Sequence, residues 1–145
     1  MNETKLKNLI LYILQRYNNQ YLTETKLQKL LYYCDFNSFQ EFDKPITDYE
    51  YRKNKFGPTL MDLPKILQKL EEEGLIKILS GTNHFGFPQK QFSLQKPDIK
   101  PEDNFTQSEL LTITKVNEAY KNLTPREISN LSHIDFPYTA TENLG

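Results

Sequence analysis

The chain has one cysteine, two histidines and no tryptophan among its 145 residues. A single thiol, Cys34, excludes an internal disulfide. One cysteine with two distant histidines, His84 and His133, excludes the common Cys/His structural zinc sites. Charge of one sign is missing too. The 18 basic residues against 19 acidic ones leave a net charge of -1, so no overall field draws the chain to nucleic acid or anionic lipid. Long apolar runs are also absent. The longest early run, Leu9 to Leu14, is too short to span a bilayer, and no small-residue cleavage site follows it. The expectation is a cytoplasmic protein with no membrane contact.

Catalytic signatures are equally scarce. No nucleophile elbow, phosphate loop, dinucleotide fingerprint or metalloprotease motif occurs. The run Glu71-Glu72-Glu73 cannot converge on one substrate atom, because consecutive helix positions point about 100° apart. Ser132, His133 and Asp135 have the composition of a triad. Triad geometry comes from distant segments, so a packed or capping histidine is the better reading. The expectation is a protein that is not an enzyme and holds no cofactor or metal.

What is present suits one domain over residues 1–145. A chain of this length buries roughly 70% of its unfolded surface and folds without staples. Aromatic residues, at 12%, offset a modest apolar share of 37%. Leu6, Leu9, Ile10, Ile13, Leu14 and Tyr17 recur at helical spacing. A second helix runs to about Phe42, capped by Thr23 or Thr25; Thr25-Lys26-Leu27-Gln28 fits a capping box. Its stripe of Leu27, Leu30, Leu31 and Cys34 is widened by Tyr33 and Phe36, which marks it as central, with Cys34 a buried structural thiol. Asp43-Lys44-Pro45 breaks it. Residues 46–56 read as a short extended segment ending at Phe56-Gly57-Pro58.

A third helix carries Leu60, Leu63, Ile66, Leu67 and Leu70, starts near Asp62 and stops at Gly74. Leu75–Leu79 and Lys90–Leu94 form a hairpin around a long loop, Ser80 to Pro88. Thr106-Gln107-Ser108-Glu109 is a second capping box and opens a fourth helix. Thr124-Pro125-Arg126-Glu127 starts a fifth, followed by a helix end or turn at His133–Tyr138. The expected fold is mainly α: a compact bundle of five to six helices with a small β-hairpin as a winged-helix-like element.

A helix followed by a hairpin also serves DNA-binding regulators, and this is the alternative function. Such use needs Lys and Arg to neutralise phosphates. Here Lys65 and Lys69 face Asp62 and three glutamates, and the hairpin adds only Lys77 and Lys90. Nucleic acid is therefore a disfavoured partner. The basic and aromatic stretch Tyr49, Tyr51, Arg52, Lys53 and Lys55 suits a protein partner, or an edge strand guarded by lysines. His84 and Phe85 at the hairpin tip are the second candidate contact.

Three segments together resemble the Panacea domain, the SocA-like antitoxin family. The first is Thr25-Lys26-Leu27-Gln28-Lys29-Leu30-Leu31-Tyr32-Tyr33. The second is Phe56-Gly57-Pro58 followed by a helix and Leu70-Glu71-Glu72-Glu73-Gly74-Leu75-Ile76. The third is Leu131-Ser132-His133 with Pro137-Tyr138. Tyr138 stands where the family usually has tryptophan. Family members usually continue with a further helix or strand beyond this motif, while Gly145 follows it closely here. The resemblance implies an antitoxin, often carried on mobile elements, that neutralises an adjacently encoded toxin by direct binding. One relative delivers its toxin to a protease, so a protease or chaperone is a further candidate partner, and an adaptor without a toxin a further alternative. It also implies that Leu27, Gln28, Lys29, Leu30, Tyr32, Tyr33, Phe56, Gly57, Pro58, Ser132, His133, Pro137 and Tyr138 are shared scaffold. Partner choice is then expected in the Tyr49–Lys55 stretch or the tip at Gly81–Pro88. The oligomeric state is not legible in the sequence.

Overall fold

A computed structural model of the chain describes residues 2–17, 21–54, 57–121 and 123. In chain order these form α1 (Glu3–Arg16), β1 (Leu22–Thr23), α2 (Glu24–Phe42), β2 (Tyr51–Arg52) and β3 (Thr59–Leu60). There follow α3 (Leu63–Glu72), β4 (Ile76–Thr82), β5 (Pro88–Leu94), a 3-10 turn (Pro101–Asn104) and α4 (Gln107–Tyr120).

The caps follow from side-chain chemistry. Asn2 accepts from the Lys5 amide and opens α1. Thr106 and Glu109 complete a reciprocal capping box on α4, and Glu109 also takes the Lys5 ammonium. At α2 the cap is Thr23, whose Oγ1 accepts from the Lys26 amide at 3.2 Å. The box expected between Thr25 and Gln28 does not form, because the Gln28 side chain is engaged elsewhere.

The core is built around α2. Leu27 to Phe36 are all buried, so this stretch is covered on every side. The α1 residues Leu6, Leu9, Ile10 and Ile13 pack with Leu30 and Leu31 of α2 and with Leu63 and Leu70 of α3. Leu22, Ile76 and Phe92 close the core from the sheet side, and Ile113 and Val116 from α4. Tyr32 is the hub of an aromatic cluster. Its ring meets Tyr33 and Tyr51 edge-on at 5.3 and 5.5 Å and stacks on Phe36 at 5.7 Å.

Two sheets form among the described residues. One has the order β1-β5-β4, antiparallel throughout, so the short β1 joins the hairpin as a third strand. The other pairs β2 with β3, placing Tyr51 opposite Leu60. The described residues contain four α-helices and are 53% helix and 17% strand. The fold is therefore mixed α/β, which corrects the expected bundle of five to six helices. Three of the five strands have two residues each, too short to show a period of two in the sequence. The expected helix from Thr124 and the His133–Tyr138 turn lie outside the described residues.

Two polar latches tie the 46–60 segment to α2. Gln28 accepts from the Leu60 amide at 2.8 Å and donates to the Leu60 carbonyl at 3.3 Å, acting as a surrogate strand residue. Asp35, fully buried, accepts from the Thr47 amide, the Thr47 hydroxyl and the Tyr51 hydroxyl, each at 2.7 Å. Burial pushes the Asp35 carboxyl up from 3.8 to about 6, and the donors at Thr47 and Tyr51 pull against that rise.

This shift has a sign for stability. The folded state binds the Asp35 proton more tightly than the unfolded chain does. The contribution is complete below about 3.8 and is lost as pH rises through about 6. Relative to Asp35→Asn, the wild type should lose up to about 3 kcal/mol between pH 4 and 7. Urea unfolding of both proteins across that range measures the difference. A gap that stays constant with pH would contradict the assignment.

Candidate interaction surface

The latches decide which residues of the basic and aromatic stretch reach solvent. Tyr51 is 0% exposed, its ring against Tyr32 and its hydroxyl on Asp35. Tyr49 is buried as well, and that burial raises its phenol pKa. Neither ring is available as a surface anchor, which corrects the reading of both as partner contacts. The alternation places Arg52 outward, opposite Thr59, and Lys53 is also exposed. Lys55 and Phe56 lie outside the described residues.

The motif residues of α2 lie inside the protein. Leu27, Leu30 and Tyr32 are inaccessible, and Gln28, Lys29 and Tyr33 nearly so. Burial pushes the Lys29 ammonium down to about 8. Cys34 is fully buried, and burial followed by the neighbouring Asp35 charge raises its thiol pKa. A thiol so placed is a poor nucleophile. Gly57 has φ of 107°, a conformation that side chains disfavour, so the turn before β3 needs glycine there. Pro58 is buried beside it. Ser132, His133, Pro137 and Tyr138 lie outside the described residues.

The hairpin presents a different surface. The expected loop from Ser80 to Pro88 is shorter than its composition suggested. The strands extend to the pair Thr82 and Pro88, leaving a five-residue tip. Asn83 organises it. Its Oδ1 accepts from the Phe85 and Phe87 amides at 2.9 and 3.1 Å, and its backbone bonds with Phe87 and Gly86. Gly86 adopts φ of 85° with open space around it. Phe85 and Phe87 are thereby held outward, 69% and 65% exposed, and the His84 ring lies 4.1 Å from that of Phe85. The expected tip at Gly81–Pro88 contains all three of these rings, though only His84 and Phe85 are named in it as contacts; Asn83 and Gly86 are the sequence signal for a tight tip.

Behind the tip runs an open groove of about 410 Å³ between the hairpin and α3, with Lys65, Gln68, Glu71, Ser80 and Lys90 among its walls. The helix face beside it is acidic. Asp62, Glu71 and Glu72 are exposed against Lys65, while Lys69 is held by Glu3 at 2.9 Å and Lys7 by Glu73 at 3.1 Å. Such a face repels phosphate rather than neutralising it. Among the described residues no His, Cys, Asp and Glu side chains cluster as a metal site, and no helix is long and apolar enough to cross a membrane.

Comparison with protein families matches the chain to the family described as Antitoxin SocA-like, Panacea domain, over residues 27–136. The chain belongs to this family. The Panacea match begins at Leu27, where the buried run of α2 begins, and it contains both latches and the hairpin. It leaves out α1, although α1 fills one side of the Panacea core in this protein. Comparison with curated proteins and with solved structures returned no match.

The contrast between Tyr51 and Arg52 can be measured. Tyr51→Ala should cost about 3–5 kcal/mol of unfolding free energy, through the lost ring and the lost donor to Asp35. Arg52→Ala should stay within about 0.5 kcal/mol of wild type. Chemical denaturation distinguishes the two, and equal effects would refute this placement.

Proposed function

We propose that the protein is an antitoxin that neutralises a cognate toxin, encoded beside it, by direct protein–protein binding, with the hairpin tip as the central contact. Family membership supports the antitoxin role. The observation that carries the choice of surface is the exposed pair Phe85 and Phe87 on a tip already ordered by Asn83. Aromatic side chains near the centre of an interface supply a large share of binding energy. A loop already held in shape loses little entropy on docking. Specificity sits on this exposed tip, while the buried motif of α2 is a scaffold that different partners can share.

In this reading the protein acts as a binder in the cytoplasm, alongside its toxin, and needs no catalytic residue of its own. Neutralisation requires only that the toxin's active region be covered. A standard interface of about 800 Å² on each partner suffices. The acidic face of α3 disfavours the DNA-binding alternative.

The test is a growth assay combined with co-purification. The neighbouring open reading frame should arrest growth when expressed alone, and this chain should restore growth through a stable complex. The double variant Phe85→Ser/Phe87→Ser should unfold at the wild-type urea midpoint and yet bind about 1,000-fold more weakly. Full neutralisation by that variant would move the interface elsewhere. A harmless neighbour would remove the antitoxin reading itself.

A further inference from the structure

β4 is an edge strand. β5 occupies one side of it, and among the described residues no strand lies on the other. The backbone groups on the open side can be identified. The Gln95 amide bonds to the Leu75 carbonyl and the Asn83 amide to the Phe87 carbonyl. In an antiparallel ladder, hydrogen-bonded and non-bonded pairs alternate. Odd-numbered residues of β4 therefore bond inward to β5. The amides and carbonyls of Ile76, Ile78, Ser80 and Thr82 point outward; Ser80 and Thr82 are exposed and Ile78 is half-buried, while Ile76, 2% exposed, is covered.

The edge is poorly protected. It is seven residues long, contains no proline, and carries one charge, Lys77. Leu79 stands at its midpoint, 46% exposed. Natural edges of this length are usually shortened, charged, bulged or covered.

The sequence of the edge complements itself. If a second copy pairs antiparallel about a two-fold axis at Leu79, Ile76 meets Thr82 and Ile78 meets Ser80. The two central Ile78–Ser80 pairs give about four backbone hydrogen bonds across the axis, and the covered Ile76 ends the ladder on either side. Leu79 meets its own copy at a non-bonded pair, where side chains approach most closely. Lys77 meets Gly81, so like charges do not oppose each other. This register is the one that buries the two exposed Leu79 side chains against each other; a two-residue slip sets each Leu79 opposite Gly81 or Lys77 instead.

We infer that β4 pairs with β4 of a second copy of this chain, joining two three-stranded sheets into one six-stranded sheet with closed two-fold symmetry. The two tips then lie at opposite ends of the shared sheet, roughly 35 Å apart at the usual rise per residue. One dimer accordingly offers two toxin sites. The contact is small, so the dimer dissociates at about 10 µM.

Sedimentation of the toxin-free chain from about 1 to 300 µM tests the pairing. The expected result is a shift from the monomer mass to twice that mass. Ser80→Pro removes an outward amide and no inward bond, and edge positions tolerate proline, so this variant should remain folded and monomeric. Leu79→Lys should also be monomeric, and so should Leu79→Glu. A mixture of the two should dimerise again, because residue 79 meets itself across the axis. Leu79→Cys should form a disulfide-linked dimer under mild oxidation, and Lys77→Cys should not. A wild-type monomer across the whole range would overturn the inference. So would a dimer that survives Ser80→Pro and Leu79→Lys, or one in which Lys77→Cys cross-links as readily as Leu79→Cys. An edge occupied only when toxin is added would assign it to the toxin instead. These readouts use the protein alone, so their failure leaves the antitoxin reading standing.

Discussion

A carboxylate withdrawn from water governs much of this fold. Asp35 sits on a helix that is buried on every side over ten residues, Leu27 to Phe36. An unsolvated carboxylate is tolerated only when hydrogen-bond donors surround it. Thr47 and Tyr51 supply those donors, and both come from a segment with little regular structure of its own. The cost of leaving Asp35 unsatisfied thus becomes the force that fixes residues 46–51 against α2. Gln28 does the same for Leu60, with an amide that both donates and accepts. β2 and β3 have two residues each and would not persist as an isolated pair. Both latches grip the same rung, Tyr51 opposite Leu60, and explain how the pair holds.

The same constraint separates scaffold from surface. Gln28 and Asp35 of α2 are committed to internal bonds. Changing Asp35 to suit a partner would disturb Thr47 and Tyr51 together. The hairpin tip is under no such restriction. Asn83 makes its bonds within the tip, so its shape is set locally and does not depend on the identity of Phe85 or Phe87. Side chains at 84, 85 and 87 can change while the backbone presenting them stays the same. A protein that must match different partners benefits from this division between a rigid core and a locally specified loop.

Much of this arrangement was legible in the sequence, but unevenly. The period of α1 and the Thr106–Glu109 box were visible because local chemistry determines them. The hairpin was visible, although its length was underestimated, because Gly81 and Pro88 read as loop residues when they continue the strands. Tyr51 was misplaced for a different reason. Its neighbours Arg52 and Lys53 are basic, and the partner that buries it, Asp35, lies sixteen residues earlier. Composition within a window cannot reveal such a partner. The Thr25 box failed for the same cause: Gln28 had a long-range bond available at Leu60 that outcompeted the local one.

The electrostatics of the surface bear on the kind of recognition this fold supports. A helix followed by a hairpin can present cations to a phosphate backbone, and affinity then falls steeply with salt. In this protein the equivalent helix exposes more acid than base, and two of the nearby lysines, Lys7 and Lys69, are held in ion pairs. What the hairpin offers instead is apolar area at its end. Burying a phenylalanine ring depends little on ionic strength, since screening acts on charges and not on apolar hydration. The architecture therefore favours a partner with a recess for aromatic rings over one recognised by its charge. If the tip is the contact, as proposed, affinity comes from shape and burial. Shape and burial discriminate among proteins far better than among stretches of nucleic acid.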